Sequence, residues 1–190
     1  MDNEFSTSCL KDHFLIAMPE LSGGFFAHSL TYVCEHSEHG AMGIVINQPL
    51  SLKLDEILDQ LQIQHSDSTR QKPVMAGGPV QIDRGFILHK AGQGCWSSTL
   101  SITDQISLTT SQDILTSIAQ EEGPEDNLVA LGYAGWNAGQ LEQELAANAW
   151  LTLPADSDII FKLPIEKRLD AAADKLGIDL HLIAPGSGHA

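Results

Sequence analysis

The sequence predicts an α/β (α+β) fold: a single-domain sandwich in which a mixed, largely antiparallel β-sheet is flanked by helices. Three observations point there. The first quarter of the chain carries three apolar runs of strand length, His13 to Met18, Leu30 to His36 and Ala41 to Asn47. Leucine and isoleucine recur at helical spacing in later segments. Strands and helices mix without strict βαβ alternation, which disfavours a doubly wound parallel sheet.

Each element has its own local reason. His13 to Met18 is apolar on both faces, as a central strand is, and Pro19 ends it. In Leu30 to His36 the period of two puts Leu30, Tyr32, Cys34 and His36 on one face, with Thr31, Val33 and Glu35 on the other. Ser37 to Gly40 is a short turn ending in glycine, so a hairpin into Ala41 to Asn47 is expected. Ser51 is placed to cap a helix running to about Gln62, with Leu54, Ile57, Leu58 and Leu61 as its stripe. His65 to Lys72 is polar and reads as a surface loop. Pro73 to Ala76 and Gly85 to His89 read as strands, and Ser98 to Leu108 as one or two more. Ser111 is placed to cap a second helix with Asp113 in its first turn, and Gly123-Pro124 ends it. Leu128 to Tyr133 is a strongly apolar strand, and Gly139 to Ala147 a third helix. Trp150 to Leu153 and Asp158 to Phe161 read as short strands. Pro164 opens a last helix carrying Ile165, Leu169, Ala172, Ala173 and Leu176, and Gly177 is its C-cap. Ile178 to Ile183 is a final strand or extended segment.

One domain spanning residues 1–190 is expected, with flexible ends at about 1–9 and 185–190. A chain of 190 residues buries roughly 70% of its unfolded surface and needs no disulfide or metal staple. Hydrophobic residues make up 43% and charged residues 18%, as in globular rather than disordered proteins. Ten basic side chains against 25 acidic ones leave a net charge of −15, a field that repels phosphate backbones. The stretch Ala91 to Phe161 holds ten acids and no Lys, Arg or His, so it supplies no basic groove. Direct DNA contact is therefore disfavoured. The N-terminus Met1-Asp2-Asn3-Glu4 is acidic where a signal peptide is basic, and no apolar run approaches the roughly 18 residues of a membrane span. Cys9, Cys34 and Cys95 are sparse, odd in number and without CxxC spacing, which fits reduced thiols in the cytoplasm.

The standard phosphate-loop, dinucleotide, zinc-protease, nucleophile-elbow and EF-hand motifs are absent from the sequence. Cys34-Glu35-His36-Ser37-Glu38-His39 is the richest local cluster. A thiolate and an imidazole on one strand face suit a transition metal or a nucleophile–base pair, but a fourth metal ligand is missing locally. The alternative is a buried Cys beside polar turn histidines. Gly77-Gly78-Pro79 with Asp83-Arg84-Gly85 reads either as an anion-binding nest clamped by Arg84 or as turns that need glycine. His89 is a candidate base or a hydrogen-bonded structural residue. Tyr133 and Trp136, before the helix that holds Gln140, line an apolar cleft or pack in the core. The candidate binding cleft is thus Cys34, His36, Asn47, Gly77, Gly78, Pro79, Arg84, His89, Tyr133, Trp136 and Gln140. No catalytic residue, metal-ligand set or cofactor is assigned.

The run Leu10 to Pro19 resembles the opening of a known family. Cys34-Glu35-His36 with Gly40 to Pro49, Gly77 to Val80 with Asp83 to His89, and Leu131 to Trp136 with Gly139 to Glu142 and Asn148 to Leu151 resemble its later blocks, and Gly188-His189-Ala190 its ending. These blocks, in order over nearly the whole chain, resemble the YqgE/AlgH family of bacterial proteins. Arg168-Leu169 departs from the family's Arg-Trp pattern, which touches only the packing of the last helix. The resemblance implies an α/β sandwich with a mixed sheet flanked by helices, in a bacterial cytosol. It also implies the label of transcriptional regulator, from a member linked to control of alginate production, and it brings no catalytic residues to place on this chain. Combined with the charge, the expectation is a non-enzymatic regulatory or binding protein acting through a protein or small-molecule partner. The rival is an enzyme or thiol-dependent redox sensor using a Cys/His/Arg cleft.

Overall fold

A computed structural model describes residues 9–21 and 23–183. The expected flexible ends and the closing Gly188-His189-Ala190 fall largely or wholly outside the described residues.

Ten strands form one curled sheet, joined in the order β10-β1-β2-β3-β9-β6-β8-β7, with β4 and β5 attached beside β9. β1 (His13–Ala17) lies between β10 (Trp150–Pro154) and β2 (Leu30–Ser37), antiparallel to both. Its Phe14, Leu15 and Ile16 are fully buried, as a run apolar on both faces requires. β2 turns through Glu38-His39 into β3 (Gly40–Val45), with Ser37 opposite Gly40. β4 (Pro49–Lys53) pairs with β5 (Pro73–Ala76). β6 (Val80–Lys90), β7 (Thr99–Ser101) and β8 (Ile106–Thr109) complete the other half, all antiparallel to their neighbours.

β9 (Asn127–Asn137) joins the two halves. Its first part lies between β5, the one parallel partner, and β6; its last four residues pair with β3. Gly132, at φ +74°, marks the change of partner. There the backbone of Gly77 and Gly78 crosses β9 so closely that a Cβ on Gly78 would sit 1.8 Å from the Tyr133 carbonyl carbon. Only glycine permits that approach.

Helices cover both faces. Ile159 and Ile160 of α4 (Ser157–Phe161) and Ala172 and Ala173 of α5 (Ile165–Lys175) pack on Phe14, Tyr32, Ile44, Phe86 and Leu128. On the opposite face, α1 (Leu54–Gln60) and α2 (Asp113–Ala119) cover Ile87 and Val129, while α3 (Gln140–Ala146) covers Leu15, Val33 and Trp136. This is the predicted mixed, largely antiparallel sheet with flanking helices.

Several local expectations are corrected. Ser51 lies inside strand β4, and the helix starts after Lys53, whose N–H donates to Glu56 at 3.0 Å. Ser111 is not a helix cap; its hydroxyl donates to Asp113, and Gln112 holds the cap position. Asp158 to Phe161 is helical because the Asp156 carboxylate accepts the Asp158 N–H at 2.9 Å and starts a turn. Ile178 to Ile183 contains a short 3₁₀ turn over Leu180–Leu182 instead of a strand. Gly177 follows α5 at φ +68°; its N–H and that of Ile178 bond back to Asp174 and Ala173, which is a Schellman ending. β6 and β9 both extend beyond the predicted runs.

Candidate functional site

β6 and β9 pair at Val80–Tyr133 and again from Gly85–Leu131, with an irregularity between. Residues 81–84 bulge out there, and Gln81 takes a φ of +48°. Beyond Tyr133 the chain of β9 pairs with β3. A groove of about 880 Å³ opens where the half-sheets part, within the size range of ligand sites. Met42, Phe86, Leu108 and Tyr133 form its floor, with the Phe86 and Tyr133 rings 5.4 Å apart. Val80 and Leu100 line it as exposed apolar side chains. Glu35, Ser37, His39, Gln81, Ser98, Thr99 and Thr110 add polar groups.

Arg84 is the groove's guanidinium. It donates to Gln81 Oε1 at 3.3 Å and Thr110 Oγ1 at 3.2 Å, and its Cζ lies 5.6 Å from the centre of the Phe86 ring. Every one of these partners is neutral. Among the described residues Arg84 has no carboxylate partner, in a chain of net charge −15.

The structure disperses the rest of the predicted cleft. Cys34 and His36 do not share a face. The β2–β3 register shifts between Val33 and Glu35, so Cys34 is an extra residue in its strand. One extra residue reverses the alternation beyond it. Cys34 is wholly buried beside Tyr32 and Leu30, and burial pushes its thiol pKa strongly up. His36 turns to the other face, where Nδ1 accepts the Leu10 N–H at 2.9 Å and Nε2 meets Glu142 Oε1 of α3 at 2.8 Å. The nucleophile–base pair is therefore not formed. The thiols of Cys9, Cys34 and Cys95 are all free. Among the described residues no three His, Cys, Asp or Glu side chains are grouped to hold a metal ion.

Gly77 and Gly78 are buried against β9, and the Gly77 N–H donates to Leu131 O at 2.8 Å while its carbonyl accepts from Val45. The Gly77 N–H is therefore not free for an anion, and glycine serves here for the close approach to β9 rather than for a turn. Pro79 is exposed beside Val80 but does not line the groove. Asn47 staples two segments: Oδ1 accepts the Leu30 N–H at 2.8 Å and Nδ2 donates to His28 O at 2.9 Å. His89 is buried, with both ring nitrogens bonded, to Lys90 O and Thr109 Oγ1. Burial holds its pKa below the usual imidazole value.

Tyr133 and Trp136 stand an odd number of positions apart on one strand and so face opposite ways. Tyr133 lines the groove with its ring; Trp136 also borders the groove, but its ring packs with Phe26 and Trp150 under α3. Here the structure supplies a residue the sequence reading missed. Glu144 Oε2 accepts from both Trp136 Nε1 and Trp150 Nε1 at 2.8 Å, and Oε1 accepts from Gln140 Nε2 at 3.0 Å. Gln140 thus belongs to this network. Arg168 was missed too. It is buried and donates to Ile46 O at 2.6 Å and Leu163 O at 3.2 Å, with burial pulling its pKa down to about 10. The Glu144 contacts are close in sequence, within 8 residues, whereas the Arg168 partner Ile46 lies 122 residues away.

A second cavity, of about 770 Å³, is lined by Asp12, Asp104, Asp156 and Lys175 among others. Three of these four charges are engaged: Asp12 accepts from Tyr32 Oη at 2.8 Å, and Asp156 pairs with Lys175. The groove around Arg84 is the more open binding chemistry.

The groove sits in a fold with known relatives. The solution structure of the AlgH protein from Pseudomonas aeruginosa superposes with a TM-score of 0.80 at 50% identity, over 100% of both chains. A protein of Corynebacterium diphtheriae, DIP2367, shares the fold at a TM-score of 0.70 with 16% identity, over 92% of this chain and 91% of its own. A UPF0301 protein of Thioalkalivibrio sulfidiphilus is 55% identical over 185 residues, 97% of this chain and 99% of its own. A UPF0301 protein of Saccharophagus degradans is 54% identical over 181 residues, 95% of this chain and 89% of its own. The AlgH-like family profile matches residues 14–181. With that span matched and relatives above half identity along nearly its whole length, the chain belongs to the AlgH-like family.

Proposed function

We infer that this chain is a non-enzymatic binding protein of the bacterial cytoplasm, and that it acts in regulation through a partner seated in the groove between β3 and β7. The observation that carries the reading is the groove's composition. An apolar floor of Met42, Phe86 and Tyr133 lies beside a guanidinium held only by neutral groups. That combination favours an occupant with an apolar part and an anionic group. The net charge of −15 argues for an indirect effect on transcription over DNA contact. The enzyme and redox-sensor readings lose support from the burial of Cys34 and from the placement of His36 on the opposite face.

The test is site-specific photocrosslinking in the host. A benzophenone amino acid replaces Leu100 in the groove, or Leu61 just after α1 as a control; the two are 38% and 40% exposed. A discrete adduct with a protein or metabolite from position 100 and none from position 61 is the expected result. Adducts to DNA, or identical products at both positions, overturn the reading.

A further inference from the structure

β7 is an end strand of the sheet, and its Thr99, Leu100 and Ser101 are all exposed. Its hydrogen-bond phase can be read from the neighbouring pairs. Thr110 donates to Ser98 O and Ile102 to Ile106 O, each at 3.0 Å, with Leu100 opposite Leu108 between them. In an antiparallel ladder alternate residues bond inward. Ser98, Leu100 and Ile102 therefore bond to β8, while Thr99 and Ser101 turn their N–H and C=O groups to the outer edge. Among the described residues these two have no backbone partner there. Their hydroxyls are used elsewhere, on Thr109 Oγ1 and Thr103 O.

The same strand borders the groove. Leu100 presents an exposed apolar side chain to it. Arg84 reaches Thr110, the residue opposite Ser98 at the start of β7. A strand added antiparallel to β7 ends its run at that same place. Its residue opposite Leu100 shares the face of Leu100 and enters the groove. An acidic group near its carboxyl end then meets a guanidinium that lacks a carboxylate.

Resting on the binding reading above, we propose that the partner is a polypeptide, and that a short extended segment of it adds to β7 as an eleventh strand. Thr99 and Ser101 supply up to four backbone hydrogen bonds. One apolar side chain of the segment packs on Leu100 and the groove floor, and an acidic side chain or free carboxylate at its C-terminal end pairs with Arg84. Main-chain bonds give such a site its affinity, and the pocket and charge give it selectivity. β7 has only three residues, short enough to limit indiscriminate edge pairing.

The probe is a library of random nine-residue peptides displayed with free C-termini, selected on the whole protein. Enriched peptides are synthesised and titrated into ¹⁵N-labelled protein. The expected result is an alternating apolar sequence ending in an acidic group, with amide exchange at Thr99 and Ser101 slowed on binding. N-methylation of the peptide residue that donates to β7 weakens binding at least tenfold, and Arg84→Gln weakens it about tenfold. The N-methyl comparison leaves the protein unchanged, so a folding defect cannot imitate it. Binding at Tyr133 and Phe86 without protection of Thr99 and Ser101 overturns strand addition and leaves the groove reading standing. Failure to enrich any peptide, while 4-phenylbutyrate shifts Tyr133 and Phe86, overturns the polypeptide partner alone. No response of the groove to either probe overturns both readings. Protection of Thr99 and Ser101 that rises with protein concentration alone assigns the edge to a second copy of this chain and overturns the proposal.

Discussion

His89 shows how burial converts a titratable side chain into a structural one. Nδ1 donates to Lys90 O at 2.9 Å and Nε2 meets Thr109 Oγ1 at 2.8 Å, which suits one neutral tautomer. The Trp96 ring stands edge-on 4.9 Å away. Burial disfavours the imidazolium, so the folded-state pKa lies below the unfolded value of about 6.5. The unfolded chain therefore binds the proton first as pH falls, and stability is lost on acidification below about pH 6.5. The expected outcome is a Tm that falls between pH 7 and pH 5 in the wild type, with a smaller fall in His89→Gln. An equal fall in both chains removes His89 as the cause. Its place at the end of a strand marks this residue as structural or basic. The choice between the two rested on Thr109, twenty residues away.

At the scale of elements, the strongest constraint is the crossing of the Gly77-Gly78 segment over β9. A Cβ on Gly78 would lie 1.8 Å from the Tyr133 carbonyl carbon and 2.0 Å from its oxygen. No side-chain rotation relieves a clash with backbone. Gly78→Ala is expected to destabilise by at least about 3 kcal/mol or to prevent folding. Gly85→Ala in β6 is the control: its Cβ meets nothing nearer than Ile87 Cδ1 at 3.7 Å, and its effect is expected to stay within about 1 kcal/mol. Urea unfolding of the two variants checks this, and equal effects sink the argument. The elements also show where local pattern misleads. Asp158 to Phe161 has too few apolar residues to separate strand from helix, and the Asp156 cap decides it. Pro49 to Lys53 is a strand because Pro73 to Ala76 lies beside it, a partner about twenty residues on. The bulge at Cys34 adds one residue to a strand whose alternation otherwise looked unbroken. Every side chain after it changes face, which is why Cys34 and His36 part.

At the scale of the molecule, β9 holds the sheet together. It bonds to β5 and β6 in one half and to β3 in the other. One continuous strand thus belongs to both halves, so they are expected to unfold together. The tryptophans report on each half. Trp96 packs with the cluster under α1 and α2, whereas Trp136 and Trp150 lie under α3. Proteins retaining Trp96 alone, or Trp136 and Trp150 alone, are expected to give coincident urea transitions by fluorescence and circular dichroism. Two separated midpoints refute the coupling. Among the described residues no helix is long and apolar enough to cross a membrane.

The sequence by itself determined the class of fold, most of its elements and the family. Apolar periodicity, turn glycines and the four ordered blocks are local or colinear signals, and a linear reading recovers them. It also placed Arg84 and Tyr133 among the candidates, because a guanidinium after a glycine turn and an aromatic at a strand end stand out locally. Only the tertiary structure decided that these two share a groove while Cys34, His36, Asn47, His89, Gln140 and the ring of Trp136 serve other contacts. That outcome depends on a one-residue bulge, on the odd spacing between Tyr133 and Trp136, and on β9 changing partners at Gly132. The spacing was visible in the sequence and simply needed the period of two applied to it. The bulge and the change of partner are products of long-range pairing: a strand's register is set by the chain it lies against, and that chain is remote in sequence.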